Sequence, residues 1–213
     1  MLDILYEDNH IIVCYKPKGI LSQADGSNKK DMLTIIKEYI KEKYNKPGNV
    51  FLGLVHRLDI NTSGVMVFAK TSKAAKRLFE AINNNRFEKK YIATVEGELA
   101  GNEYTKLVNF ITKDEKNKKA YITESGQKSV LYYKPLKKYK INNTIVTDVD
   151  VILETGRFHQ IRVQLSNINH PLYGDVKYGS NHKLIDYMLP LQAYSLSFPH
   201  PITNEMLTFE KKC

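Results

Sequence analysis

Apolar residues in this chain come in short runs whose period changes, which predicts strands and helices in alternation. Leu2-Asp3-Ile4-Leu5-Tyr6 and Ile11 to Tyr15, split by the polar turn Glu7-Asp8-Asn9-His10, read as a strand hairpin. Lys16-Pro17-Lys18-Gly19 ends it, because proline cannot donate to a ladder and glycine permits the turn. Asp31 can cap a helix that carries Met32, Ile35, Ile36, Tyr39 and Ile40 on one face, with Pro47-Gly48 as its stop. Val65 to Ala69 is apolar enough for a buried strand. A second helix starts at Thr71 or Ser72, buries Ala75, Leu78, Phe79 and Ile82, and frays at Asn83-Asn84-Asn85.

The later half is richer in strands. Tyr91 to Val95 forms one that ends at Gly97, and residues 112–128, rich in Lys, Asp and Glu, form an exposed loop or ribbon. Clean alternation sends Ile145, Thr147, Val149, Val151 and Leu153 one way and Asp148 and Asp150 the other. After the break at Gly156, Ile161, Leu165 and Ile168 fall at helical spacing toward the core, while His159, Arg162 and Ser166 share the opposite face. Pro171 to Gly179 is a loop with two glycines at sharp turns, and Leu191 to Phe198 and Met206 to Phe209 are late strands. Strands with helices between them give the class α+β, with a mixed, largely antiparallel central sheet flanked by helices.

The length, 213 residues, suits one domain, residues 1–213, with a substantial core. Lys and Arg number 32 against 23 Asp and Glu, a net +9 that favours polyanionic partners. The two cysteines, Cys14 and Cys213, lack partners at metal-ligand spacing, and Cys14 sits in an apolar run as a small buried hydrophobe. No apolar stretch reaches membrane-spanning length and no signal peptide opens the chain, so a cytoplasmic protein is expected.

The densest chemistry lies from His56 to Lys70. Asp59 follows Arg57 and precedes the Thr62-Ser63-Gly64 turn and the apolar strand. A carboxylate beside a guanidinium at the mouth of a rigid strand is held in place without being neutralised. Taken alone, such an Asp is most often a turn cap. A second polar group follows Gly156, where His159, Arg162 and Ser166 can meet a phosphate or a carboxylate.

Together these segments resemble the RluA-type family of RNA pseudouridine synthases over nearly the whole chain. Ile4 to Asp8 with Lys16-Pro17 is similar to the family's first motif, and His56-Arg57-Leu58-Asp59 with Thr62-Ser63-Gly64 to its catalytic motif. Lys89-Lys90-Tyr91 with Gly97 resembles the tyrosine motif, and Thr155-Gly156-Arg157 through Arg162 the third. The resemblance implies the pseudouridine synthase fold with a central basic cleft, and isomerisation of uridine in structured tRNA or rRNA. Asp59 would be the nucleophile, attacking C6 of uracil or C1′ of the ribose, with Arg162 offsetting the desolvation of its charge. Tyr91 would lie against the uracil ring. Arg57 would fill the gap left by the flipped nucleotide, or contact phosphate, and Arg157 and His159 would contact substrate. His56 and His159 are expected to orient backbone and loops rather than act as acid or base, and Lys16 and Pro17 to support the Asp59 loop. No metal, organic cofactor, membrane or obligatory protein partner is implied, and a monomer is expected.

The chain departs from the family in two ways. Many relatives carry an N-terminal RNA-binding module of the S4 type, whereas here the first motif begins at the N-terminus; late in the chain Gln192-Ala193 stands where His often precedes Ala. One rival reading is an RNA-binding protein that keeps the fold without activity, which has no need of an ionised carboxylate. Another is a hydrolase using Asp59 and His56, which lacks a water-activating partner.

Overall fold

The computed structural model describes residues 2–184 and 188–212. In chain order its elements are β1 (Asp3–Glu7), β2 (Ile11–Lys16), α1 (Met32–Lys43), β3 (Gly53–Leu54), β4 (Ser63–Ala69), α2 (Ser72–Asn83), β5 (Glu88–Glu96), β6 (Thr105–Asp114), β7 (Lys119–Ile122), β8 (Gln127–Ile141), β9 (Thr144–Leu153), α3 (Gln160–Asn167), β10 (Leu191–Pro199) and β11 (Met206–Glu210). A short 3-10 turn covers Val176–Tyr178. The α+β expectation is met. The chain divides into two compact units, residues 1–88 with 193–213, and residues 89–192.

In the first unit the expected hairpin forms because Asp8 closes it: one carboxylate oxygen accepts from the backbone N–H of both His10 and Ile11, each at 2.7 Å. Helix α1 starts where Asp31 accepts from the Thr34 amide at 3.1 Å, and Lys41 and Lys43 in its last turn suit the negative end of the helix dipole. Thr71 caps α2 in the same way through the Ala74 amide. The sheet order is β1-β2-β4-β10, with β3 against β4 and β11 against β10. Strand β4 is buried along its full length and packs with Ile11, Val13, Leu78, Phe87 and Phe198. Cys14 is fully buried, as expected, and burial, with the charges of Glu7 and Asp3, pushes its thiol up to about 12.

One helix face differs from expectation. Helix α2 buries Ala74, Leu78 and Ala81, while Phe79 is 47% exposed. The face is centred between the 74-78-81 and 75-82 rows, and Phe79 lies one residue, about 100°, beyond Leu78.

Gly64 has φ +145°, and a Cβ there would stand 2.3 Å from the Ala193 carbonyl oxygen. The Gly64→Ala variant is expected to lose about 3 kcal/mol, since overpacking and a positive φ act together. At about 2–4 °C per kcal/mol for a chain this size, thermal denaturation should show a melting temperature lower by about 6–12 °C.

In the second unit the sheet order is β5-β9-β8-β6-β7. Residues 112–128 form the ribbon alternative: β6 and β7 pair antiparallel from Ile111↔Ile122 to Asp114↔Lys119. Strand β9 buries Val149, Val151 and Leu153 as the alternation predicts, but Ile145, beside the turn that joins β8 to β9, is 40% exposed. The loop after α3 is tied to β5 by Glu96 N–H to the Pro171 carbonyl and Tyr173 N–H to the Thr94 carbonyl, both at 2.9 Å. None of the helices described is long and apolar enough to cross a membrane.

Candidate active site

Asp59 sits in a loop whose backbone is pinned on both sides. Before it, the Ser22 hydroxyl donates to the Leu58 carbonyl at 2.7 Å and accepts from the Leu58 amide at 3.0 Å. After it, the Ile60 carbonyl accepts from the Gly19 amide at 2.8 Å and from the Lys16 ammonium at 3.4 Å. The Asp59 carbonyl itself accepts from the Thr62 amide at 3.0 Å, closing the turn. Lys16 is fully buried and also donates to the carbonyls of Ile20 at 2.7 Å and Pro17 at 3.1 Å. Burial lowers its pKa to about 8, and the negative charge of Asp59 works against that shift. Lys16 therefore holds the loop from beneath, as expected of it, and supplies positive charge near the carboxylate.

His56 also serves the backbone. Its Nε2 accepts from the Val67 amide at 3.1 Å and its ring meets Phe87 edge-on, which fixes the start of the motif against β4. Arg57 is exposed, and Asp59 is partly buried. Among the described residues, Thr62 Oγ1 is buried without a hydrogen-bond partner beside the same turn.

The other candidate residues lie in the second unit. Tyr91 is 7% exposed on β5, opposite Val151 of β9. Arg162 is buried in α3 and makes a bidentate pair with Asp175: Nε donates to Oδ2 at 2.7 Å and Nη2 to Oδ1 at 2.8 Å. Its guanidinium carbon lies 4.8 Å from the centre of the Tyr178 ring. Two carboxylate acceptors and an aromatic face fix the plane of the guanidinium.

His159 departs from the helical face expected for it. It precedes α3 with φ 52°, so helical spacing does not extend to it. It still converges with Arg162 and Ser166, because all three meet Tyr178. The Tyr178 hydroxyl accepts from the Ala120 amide at 2.7 Å and shares a hydrogen bond with His159 Nδ1 at 2.8 Å. Ser166 donates to the Tyr178 carbonyl at 2.5 Å. Phe158 stacks on the His159 ring at 3.8 Å. Burial, then the charges of Arg162, Lys177 and Lys113, lowers the His159 pKa to about 3, so the ring is neutral and orients rather than carries charge. Arg157 is exposed and its Nε donates to the Lys128 carbonyl at 3.3 Å.

Sequence reasoning missed Ser22, Asp175 and Tyr178. Ser22 meets Leu58 across 36 positions, which no local pattern signals. Asp175 and Tyr178 lie in the noted glycine loop, where an acid and an aromatic between Gly174 and Gly179 were the available sign. Among the described residues no group of three or more His, Cys, Asp or Glu side chains stands where it can hold a metal ion.

Comparison with known proteins shows the family to which the chain belongs. The family described as RNA pseudouridylate synthase matches residues 10–167. A protein of Bacillus subtilis (strain 168), described as the uncharacterized RNA pseudouridine synthase YlyB, is 34% identical over 212 residues, covering 98% of this chain and 68% of its own. Ribosomal large subunit pseudouridine synthase C of Buchnera aphidicola subsp. Baizongia pistaciae is 34% identical over 211 residues, covering 93% of this chain and 62% of that protein. The solved structure of human RNA pseudouridylate synthase domain containing 4 superposes with a TM-score of 0.78 over 99% of this chain and 88% of that one, at 22% identity, which shows a common fold. The chain belongs to the RluA-type family of RNA pseudouridine synthases, whose members are isomerases.

Proposed function

We propose that this protein converts specific uridines to pseudouridine in structured RNA, with Asp59 as nucleophile. The reading rests on the pinned Asp59 loop: Ser22 fixes Leu58, Gly19 and Lys16 fix Ile60, and the backbone that carries the carboxylate is held between them. Preorganisation of this kind serves a group that must meet one reacting atom.

The target uridine leaves its stack because C6 and C1′ are shielded within it, and Arg57, exposed next to the nucleophile, takes the vacated space or a phosphate. Asp59 attacks C6 or C1′, the N1–C1′ bond breaks, and the base turns. The C5–C1′ bond then forms, the C5 hydrogen leaves as a proton, and Asp59 is released as a carboxylate. Tyr91 lies against the uracil. Arg162, oriented by Asp175 and Tyr178, offsets the desolvation of Asp59 in a basic cleft. Arg157 contacts RNA and His159 holds the loop that carries it. The isomerisation is redox-neutral and uses no cofactor. Residues 1–213 act as a single catalytic domain, as a monomer in the cytoplasm.

The substrate is ribosomal RNA or tRNA. The ribosomal large subunit enzymes among the relatives favour the former, and the net charge of +9 suits either. Pseudouridine maps of total RNA from strains with and without the protein test the reading. One or a few sites in rRNA or tRNA should lose the modification in its absence and regain it when the wild-type gene is restored; identical maps would contradict it.

A further inference from the structure

The chain satisfies its enclosed cations with care. Lys16 has three carbonyls, Lys70 has the Glu7 carboxylate at 2.7 Å and the Asp8 carbonyl at 2.5 Å, and Arg162 has Asp175. Lys89 differs from these three. It is partly buried, and among the described residues its ammonium has no hydrogen-bond or ion-pair partner. Burial lowers its pKa. An ammonium withdrawn from water without an anion is unfavourable, so folding by itself does not account for its position.

Its surroundings suggest what it is for. Lys89 stands two residues before Tyr91 on β5, so the two side chains leave the same face of the strand about 6.8 Å apart along it. Its register partner is Leu153, at the end of β9, after which comes the Thr155-Gly156-Arg157 segment. A Cβ on Gly156 would lie 3.5 Å from the Lys89 Nζ, so the ammonium rests over a residue with no side chain. A cation therefore lies beside the tyrosine proposed to face the uracil, with the glycine leaving its neighbourhood uncrowded. The separation is one that a single nucleotide spans between base and phosphate.

We propose that Lys89 binds a backbone phosphate of the substrate RNA adjoining the target uridine. This rests on the proposed pseudouridine synthase activity and adds to it a substrate-binding residue distinct from Arg57 and Arg157. Phosphate supplies the anion that the described residues do not, and the strand fixes it relative to Tyr91.

The test uses Lys89→Met and Lys89→Arg in the full chain, with transcribed ribosomal RNA fragments as probe. Binding is measured in the Asp59→Asn background across a salt series, and tritium release from C5-tritiated fragments gives kcat and KM. Lys89→Met should raise the RNA Kd and KM about tenfold, leave kcat within about threefold, and reduce the slope of log K against log salt by roughly 0.7. Lys89→Arg should recover most of the affinity. Lys89→Met should also melt at a higher temperature than wild type, because an unpaired ammonium has been removed. Unchanged affinity and slope, or a loss confined to kcat that arginine does not rescue, would overturn the proposal. Absence of tritium release by the wild type would instead count against the parent reading, while the binding series still decides for or against Lys89.

Discussion

Asp59→Asn is expected to lose more than about 1,000-fold in turnover while binding RNA within about threefold of wild type. At 1.36 kcal/mol per factor of ten, that loss is about 4 kcal/mol of transition-state stabilisation. The amide matches the carboxylate in shape, so the pinned loop should survive: its hydrogen bonds run through the backbone of Leu58, Asp59 and Ile60. What disappears is the negative, nucleophilic oxygen. Single-turnover kinetics with an excess of enzyme over RNA, together with a binding titration, separate the two quantities. A parallel fall in binding and turnover would mean that Asp59 organises the loop rather than the chemistry.

Asp175→Ala should have the largest effect on stability. Arg162 and Asp175 are both buried, with side chains 9% and 2% exposed, and removing one partner strands the other. Breaking such a pair costs about 3–5 kcal/mol, which for a chain of this size lowers the melting temperature by about 6–20 °C. Activity measured well below that temperature should fall as well, because Arg162 loses the two acceptors that set its plane. The double variant Arg162→Met with Asp175→Leu separates the roles. Replacing a buried pair by apolar side chains of similar volume is often neutral, so thermal stability should largely return while activity does not. Recovery of both would show that the pair serves folding alone.

The parts of this protein legible in its sequence are those set by local chemistry. Asp31 and Thr71 announced the starts of α1 and α2 because an N-cap acts within three residues. The Val65 to Ala69 run announced β4 because a strand buried on both faces has no polar position to hide. Phe79 and Ile145 were misjudged where periodicity met an edge, at a helix flank and a strand end, and packing rather than period decided exposure. In the candidate site the support that Lys16 gives the Asp59 loop was legible. The partners of the motif residues were not. Ser22 reaches Leu58, Asp175 orients Arg162, and Tyr178 gathers His159, Arg162 and Ser166, each through a fold-dependent approach that spacing does not encode. The left-handed turn at His159 shows the same limit: a single positive φ moved that residue off the helix face on which the pattern had set it.

The most direct test of the account is to incubate the wild-type protein with C5-tritiated ribosomal RNA fragments and count both released tritium and pseudouridine. Isomerisation through Asp59 predicts one tritium per pseudouridine, no free uracil, and neither product from Asp59→Asn. Release that persists in that variant, or uracil set free in place of pseudouridine, would contradict it.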